Sequence, residues 1–118
     1  MSGERILIVD DESDLASSCQ RMLQCKGYQA AIAGNGREAL EQIAQTEPNL
    51  VITDFKMPVM GGMQLLEAIK EDFPEIQVLL MTAFSTIEDA VEAMRLGAAD
   101  FVPKPFTPDH LLVVVEKA

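Results

Sequence analysis

At 118 residues the chain is one domain, long enough to remove roughly two thirds of its unfolded surface from water without a disulfide or structural metal. Its formal charge of −10 would repel a nucleic-acid backbone or an anionic membrane, so neither is an expected partner of this segment. No run approaches the ~20 apolar residues of a membrane span, and the amino end lacks the basic stretch and apolar core of a secretory signal, which makes the cytoplasm the expected location.

Strand and helix signals alternate five times, with no repeat, linker or low-complexity stretch. Ile6-Leu7-Ile8-Val9 reads as an apolar strand running into Asp10-Asp11. A helix over about Ser13 to Lys26 follows, with Leu15, Cys19, Met22 and Leu23 on one stripe and Gly27 placed to stop it. Cys19 and Cys25, six residues apart on that helix, point away from each other at ~100° per residue; they cannot pair, and Cys19 is a small core residue. Tyr28 to Ala33 reads as the second strand. Gly34-Asn35-Gly36 then turns into a second helix with Ala39, Leu40, Ile43 and Ala44 inward. Pro48-Asn49 resets the chain before Leu50-Val51-Ile52-Thr53 runs into Asp54. The loop Met57 to Gly62 uses glycine's tolerance of positive φ, and the third helix turns Leu65, Leu66 and Ile69 inward. Ile76 to Met81 is almost free of polar residues, as in a centre strand covered on both faces, and ends in Thr82-Ala83. Ser85-Thr86-Ile87-Glu88 is a capping-box signature for a fourth helix, with Ile87, Ala90, Val91 and Met94 as its buried stripe and Gly97 as its stop. Ala99 to Val102 is a short fifth strand followed by Pro103-Lys104-Pro105. Thr107 with Pro108 opens a fifth helix, where His110 is an exposed first-turn residue and Lys117 suits the helix dipole. The fold class is α/β: one doubly wound (βα)5, flavodoxin-like domain over residues 1–118, with a parallel five-stranded sheet in the order 2-1-3-4-5.

Parallel strands share one carboxyl edge. Asp10, Asp11, Asp54, the hydroxyl of Thr82 and the ammonium of Lys104 therefore converge in one crevice. Carboxylates that close repel unless a cation sits among them, and an oxygen-only cluster with room for water suits Mg²⁺. A metal and an ammonium around a fixed carboxylate acceptor are what phosphoryl transfer requires, since the protein there mainly positions groups and neutralises charge. Taken singly, Asp10-Asp11 would be helix caps, Asp54 and Lys104 solvated loop residues, and Thr82 a cap. Four separate strand ends carrying one consistent chemistry set those readings aside.

Ile6-Leu7-Ile8-Val9-Asp10-Asp11-Glu12, Asp54-Phe55-Lys56-Met57-Pro58 with Gly61-Gly62, Met81-Thr82-Ala83 and Lys104-Pro105-Phe106 resemble, in order and along the whole chain, the receiver domain of bacterial two-component response regulators. The stretch from Met81 through Ala90-Val91-Glu92-Ala93-Met94 to Lys104-Pro105-Phe106 resembles receivers of NtrC-type, sigma-54-dependent enhancer-binding activators. The resemblance implies that Asp54 accepts a phosphoryl group from a sensor histidine kinase. It also implies that Asp11, Asp54 and the backbone carbonyl of Lys56 bind Mg²⁺, with Asp10 holding it through water. Lys104, Thr82 and the backbone N–H of Ala83 would stabilise the phosphoryl group, Thr82 and Phe101 would form the switch, and Pro105 would follow a cis peptide bond. Lys56 and Phe84 would modulate rates by flanking the path of a hydrolytic water. The domain would promote only its own phosphorylation and dephosphorylation, form a homodimer when phosphorylated, and control an output domain for transcription. The resemblance thus makes the chain an expected fragment of a longer protein, the alternative being a stand-alone receiver or phosphorelay intermediate.

Two rivals share part of this chemistry. An aspartyl-phosphate hydrolase of the haloacid-dehalogenase type needs a strand ending Asp-x-Asp, and neither Asp10-Asp11-Glu12 nor Asp54-Phe55-Lys56 supplies it. A flavodoxin-like flavin module needs a Ser/Thr/Gly-rich loop where this chain has Asp10-Asp11-Glu12-Ser13-Asp14.

Overall fold

A computed structural model describes residues 4–54, 61–82, 87–103 and 115–116, with positions 82, 87–90 and 100–103 described through the backbone alone. Its strands are β1 (Arg5–Val9), β2 (Gln29–Ala33), β3 (Leu50–Asp54), β4 (Gln77–Thr82) and β5 (Asp100–Pro103), all parallel, in the order β2-β1-β3-β4-β5. Between them run α1 (Ser13–Cys25), α2 (Gly36–Thr46), α3 (Gly62–Asp72) and α4 (Ile87–Arg95). The alternating α/β architecture read from the sequence is the one observed. Of the expected fifth helix, Val115 and Glu116 are described and helical; Thr107, Pro108, His110 and Lys117, like the Ser85-Thr86 cap, lie outside the described residues. No helix among the described residues is long and apolar enough to cross a membrane.

Strand residues alternate between the two faces of the sheet, so β1 feeds two cores. Leu7 and Val9 pack with Ala39 and Ile43 of α2, Leu65, Leu66 and Ile69 of α3, and Ala93 of α4. Ile6 and Ile8 pack on the other face with Ala16, Cys19 and Leu23 of α1 and with Val115. β3 is buried along its whole length. Each fully buried Leu or Ile contributes about 1.5–3 kcal/mol, so a rigid sheet is available to hold groups at its ends.

Several helix faces differ from expectation. In α1 the stripe centres on Ala16, Cys19 and Leu23, with Leu15 and Met22 half-buried beside it. Cys19 is buried and Cys25 exposed, and neither forms a disulfide. In α2, Ala39 and Ile43 are buried and Leu40 partly so, but Ala44 faces solvent, because one step of ~100° past Ile43 leaves the core-facing arc. In α4 the expected stripe fails at Val91 and Met94, which are 52% and 48% exposed, whereas Ala93 is 2% exposed; the side chains of Ile87 and Ala90 lie outside the described residues. A 3–4 spacing is satisfied by either face of a short helix, and the small Ala93 allows close approach to the core while the larger pair turns outward. Gly61 caps α3 at φ −74 rather than at the positive φ expected of that loop, while Gly27 and Gly97 take φ 94 and 104 just past α1 and α4, as expected of helix stops.

At the amino edge of the sheet, side chains pin the strand alignment. Asn49 accepts from Arg5 N through Oδ1 at 2.9 Å and donates its own N–H to Arg5 O at 2.8 Å. Its carbonyl accepts from Gln77 N at 3.2 Å, so one residue joins the starts of β1, β3 and β4. Arg5 also donates through Nη1 to Thr46 O at 2.7 Å, tying α2 to the same edge. Lys70 of α3 donates from Nζ to Ile76 O at 2.8 Å, and its stem lies 3.3 Å from where a Cβ on Gly97 would sit.

Two outcomes test this account. Gly97→Ala should cost about 1–2 kcal/mol in urea unfolding, because Gly97 has φ 104 and Lys70 fills the space, while Gly97→Asn should cost less. The Tyr28 phenol is pushed above 10.0 by burial first and then by Glu116 and Glu4. A raised folded-state value means that this contribution is complete below pH 10.0 and is lost as pH climbs through the higher value. An alkaline stability titration should therefore lose that limb in Tyr28→Phe.

Candidate functional site

Strand register decides which side chains meet. Val9 is paired with Thr53, Asp54 with Met81, and Thr82 with Pro103. Asp10, one residue past Val9, is thus level with Asp54, and its N–H still donates to Ala33 O at 3.1 Å, which keeps the end of β1 in the ladder. Asp10, Asp11 and Asp54 each bring a carboxylate oxygen to within 4.8 Å of the others. Asp10 is 2% exposed and Asp54 8%, while Asp11 stands at the solvent side.

Local hydrogen bonds hold two of the three. Glu12 N donates to Asp10 Oδ1 at 2.9 Å, so the turn into α1 orients the carboxylate beside it. Thr53, fully buried, donates from Oγ1 to the carbonyl of Asp54 at 3.1 Å, fixing the peptide that carries the third aspartate. Neither support stood out in the sequence. Glu12 acts through its backbone, which any residue could supply, and Thr53 reads as one more β-branched strand residue; a hydroxyl one position before the strand-end aspartate was the available signal.

The backbone of Thr82 ends β4 one register step beyond Asp54, opposite Pro103, and Phe101 lies in β5 opposite Leu80. Lys56, Ala83, Phe84, Lys104 and Pro105 lie outside the described residues. The structure therefore brings the three aspartates together and sets the strand ends of Thr82 and Pro103 on the same edge.

Three carboxylates with no nitrogen or sulfur donor among them form a hard-oxygen set, the kind that holds a small divalent cation while water completes its shell. Like charges this close, two of them withdrawn from solvent, make such a cation favourable. Two clefts among the described residues, of about 440 and 620 Å³, lie along the amino-edge turns beside Arg5, Pro48 and Phe73.

Residues 6–116 match the family model of the response regulator receiver domain. The chain is 43% identical over 113 residues to the transcriptional regulatory protein ZraR of Escherichia coli K12, covering 96% of this chain and 26% of ZraR. It is 38% identical over 113 residues to the DNA-binding transcriptional regulator NtrC of the same organism, covering 96% of this chain and 24% of NtrC. It thus spans about a quarter of the length of these curated relatives. The crystal structure of the receiver domain of NtrX from Brucella abortus superposes with a TM-score of 0.89 at 37% identity, covering 95% of each chain.

If mutual repulsion of the trio is what a cation relieves, Asp11→Asn should be at least as heat-stable as the wild type in chelator. Saturating divalent cation, at about 100 times its Kd, should then stabilise the wild type by ~2.7 kcal/mol and the variant by much less. Thermal melts with and without the cation give both numbers.

Proposed function

The chain belongs to the response regulator receiver domain family, with NtrC-type transcriptional regulators among its relatives, and on that premise we propose that residues 1–118 form one phosphoacceptor domain serving such a regulator. Asp54 is the acceptor. The observation that carries this reading is the register-aligned trio Asp10, Asp11 and Asp54 at the carboxyl edge of a buried parallel sheet. The donor is a phosphohistidine on a sensor kinase. An Asp54 oxygen forms the new P–O bond as the P–N bond to imidazole breaks, and the departing nitrogen keeps the electron pair and takes up a proton.

Mg²⁺ is the cofactor of this reading: Asp11, Asp54 and the backbone carbonyl of Lys56 would hold it, with Asp10 acting through water, and it would supply positive charge against the phosphoryl oxygens. The Lys104 ammonium contacts one phosphoryl oxygen, and its compact, flexible point charge suits a group that arrives and leaves. The hydroxyl of Thr82 and the N–H of Ala83 hydrogen-bond the remaining oxygens. Lys56 and Phe84 flank the approach of a hydrolytic water and so modulate the lifetime of the aspartyl phosphate. In this reading the Lys104–Pro105 bond is cis.

Engagement of Thr82 draws Phe101 inward and biases a two-state equilibrium on the face made by α4, β5 and the fifth helix. That face controls an output domain carried elsewhere in the polypeptide, in the cytoplasm, with self-association of phosphorylated copies as the relay. Support comes from α4, where Val91 and Met94 stand exposed as an adjacent apolar pair available to a partner surface.

Acetyl phosphate with Mg²⁺ should add one phosphoryl group to the domain, seen by intact-mass spectrometry. The assignment to Asp54 fails if Asp54→Asn is labelled equally. Lys104→Ala should still accept the group yet leave sedimentation unchanged, whereas the phosphorylated wild type should sediment faster; equal sedimentation of both would remove Lys104 from the switch.

A further inference from the structure

β2 is an outer strand, and outer strands present unpaired amide and carbonyl groups to which another strand can add. Register shows which groups face out. Gln29 N donates to Glu4 O at 2.9 Å and Asp10 N donates to Ala33 O at 3.1 Å, so the odd-numbered residues of β2 turn their peptide groups toward β1. The even-numbered Ala30 and Ile32 turn theirs outward.

Both outward carbonyls are taken, one from each face of the sheet. Gln20 of α1 donates from Nε2 to Ala30 O at 2.9 Å, and Gln42 of α2 donates from Nε2 to Ile32 O at 2.9 Å. α1 packs with the core of Ile6 and Ile8, and α2 with that of Leu7 and Val9, so the two amides reach round the edge from opposite sides. Gln42 is aimed by Glu38, whose Oε1 accepts from the same amide at 3.4 Å and whose Oε2 accepts from Gly34 N at 3.3 Å. The strand itself, Gln-Ala-Ala-Ile-Ala, has no charge and no proline to discourage pairing.

We propose that Gln20 and Gln42 are edge guards: by occupying the carbonyls of Ala30 and Ile32 they close β2 to strand addition by a second copy of this chain. This role is independent of the phosphoacceptor chemistry at the carboxyl edge. It predicts that the domain self-associates through β2 once both donors are gone.

The test is sedimentation of the 118-residue chain, without phosphodonor or metal, comparing wild type with a Gln20→Met, Gln42→Met double variant that keeps the apolar stems and lacks the donors. The double variant should self-associate at least tenfold more tightly than the wild type. Adding Ala30→Pro, which removes an outward N–H from an edge strand, should return it to wild-type behaviour. Gln20→Asn with Gln42→Asn, whose amides fall one methylene short, serves as the second pair and should behave like the first. Wild-type sedimentation in both pairs, or association that survives Ala30→Pro, overturns the proposal. Loss of the folded circular dichroism signal in both pairs would do the same by making the glutamines stabilising residues.

Discussion

The parallel ladder is the constraint on which the rest of the molecule depends. Pairing Val9 with Thr53 brings the end of β1 level with the end of β3, the alignment in which Asp10, Asp11 and Asp54 share a 4.8 Å neighbourhood, and pairing Asp54 with Met81 sets β4 level beside them. A slip of one residue would displace a strand by about 3.3 Å and turn its side chains to the other face. Chemistry at the edge and alignment within the sheet are one property.

The arrangement is costly by itself, because charges of one sign are gathered where two of them are shielded from water. The two cores offset that cost. Apolar residues such as Leu65, Leu66 and Ile69 on one face and Ala16, Cys19 and Leu23 on the other hold the strands from both sides, so the loops that follow can be chosen for chemistry rather than for packing. The same division leaves α4 anchored through Ala93 near its carboxyl end, with Val91 and Met94 free of the core.

What was legible in the sequence follows from this division. Fully apolar runs such as Ile6 to Val9 and Val78 to Met81 announce buried parallel strands, and acidic residues immediately after them announce an edge. Glycines placed to stop helices, Gly27 and Gly97, are equally plain because a left-handed backbone leaves few alternatives. Helix faces were harder. In α4 an alanine rather than the bulkier Val91 and Met94 faces inward, a choice between faces that periodicity alone does not make. Supports such as Glu12 N on Asp10 and Thr53 Oγ1 on the Asp54 carbonyl were hidden for a related reason, since backbone donors leave no mark on residue type.

Asn49 shows what such a ladder does to the notion of distance within a protein. It sits at the opposite end of β3 from Asp54, yet its side chain and both of its backbone groups tie β1, β3 and β4 to one another. Ranked by separation from the carboxylates, it would be filed among positions free to vary. Ranked by what sets the relative height of two strands, it is among the nearest neighbours the site has, and substitutions there belong with those that change geometry rather than with those that merely lower stability.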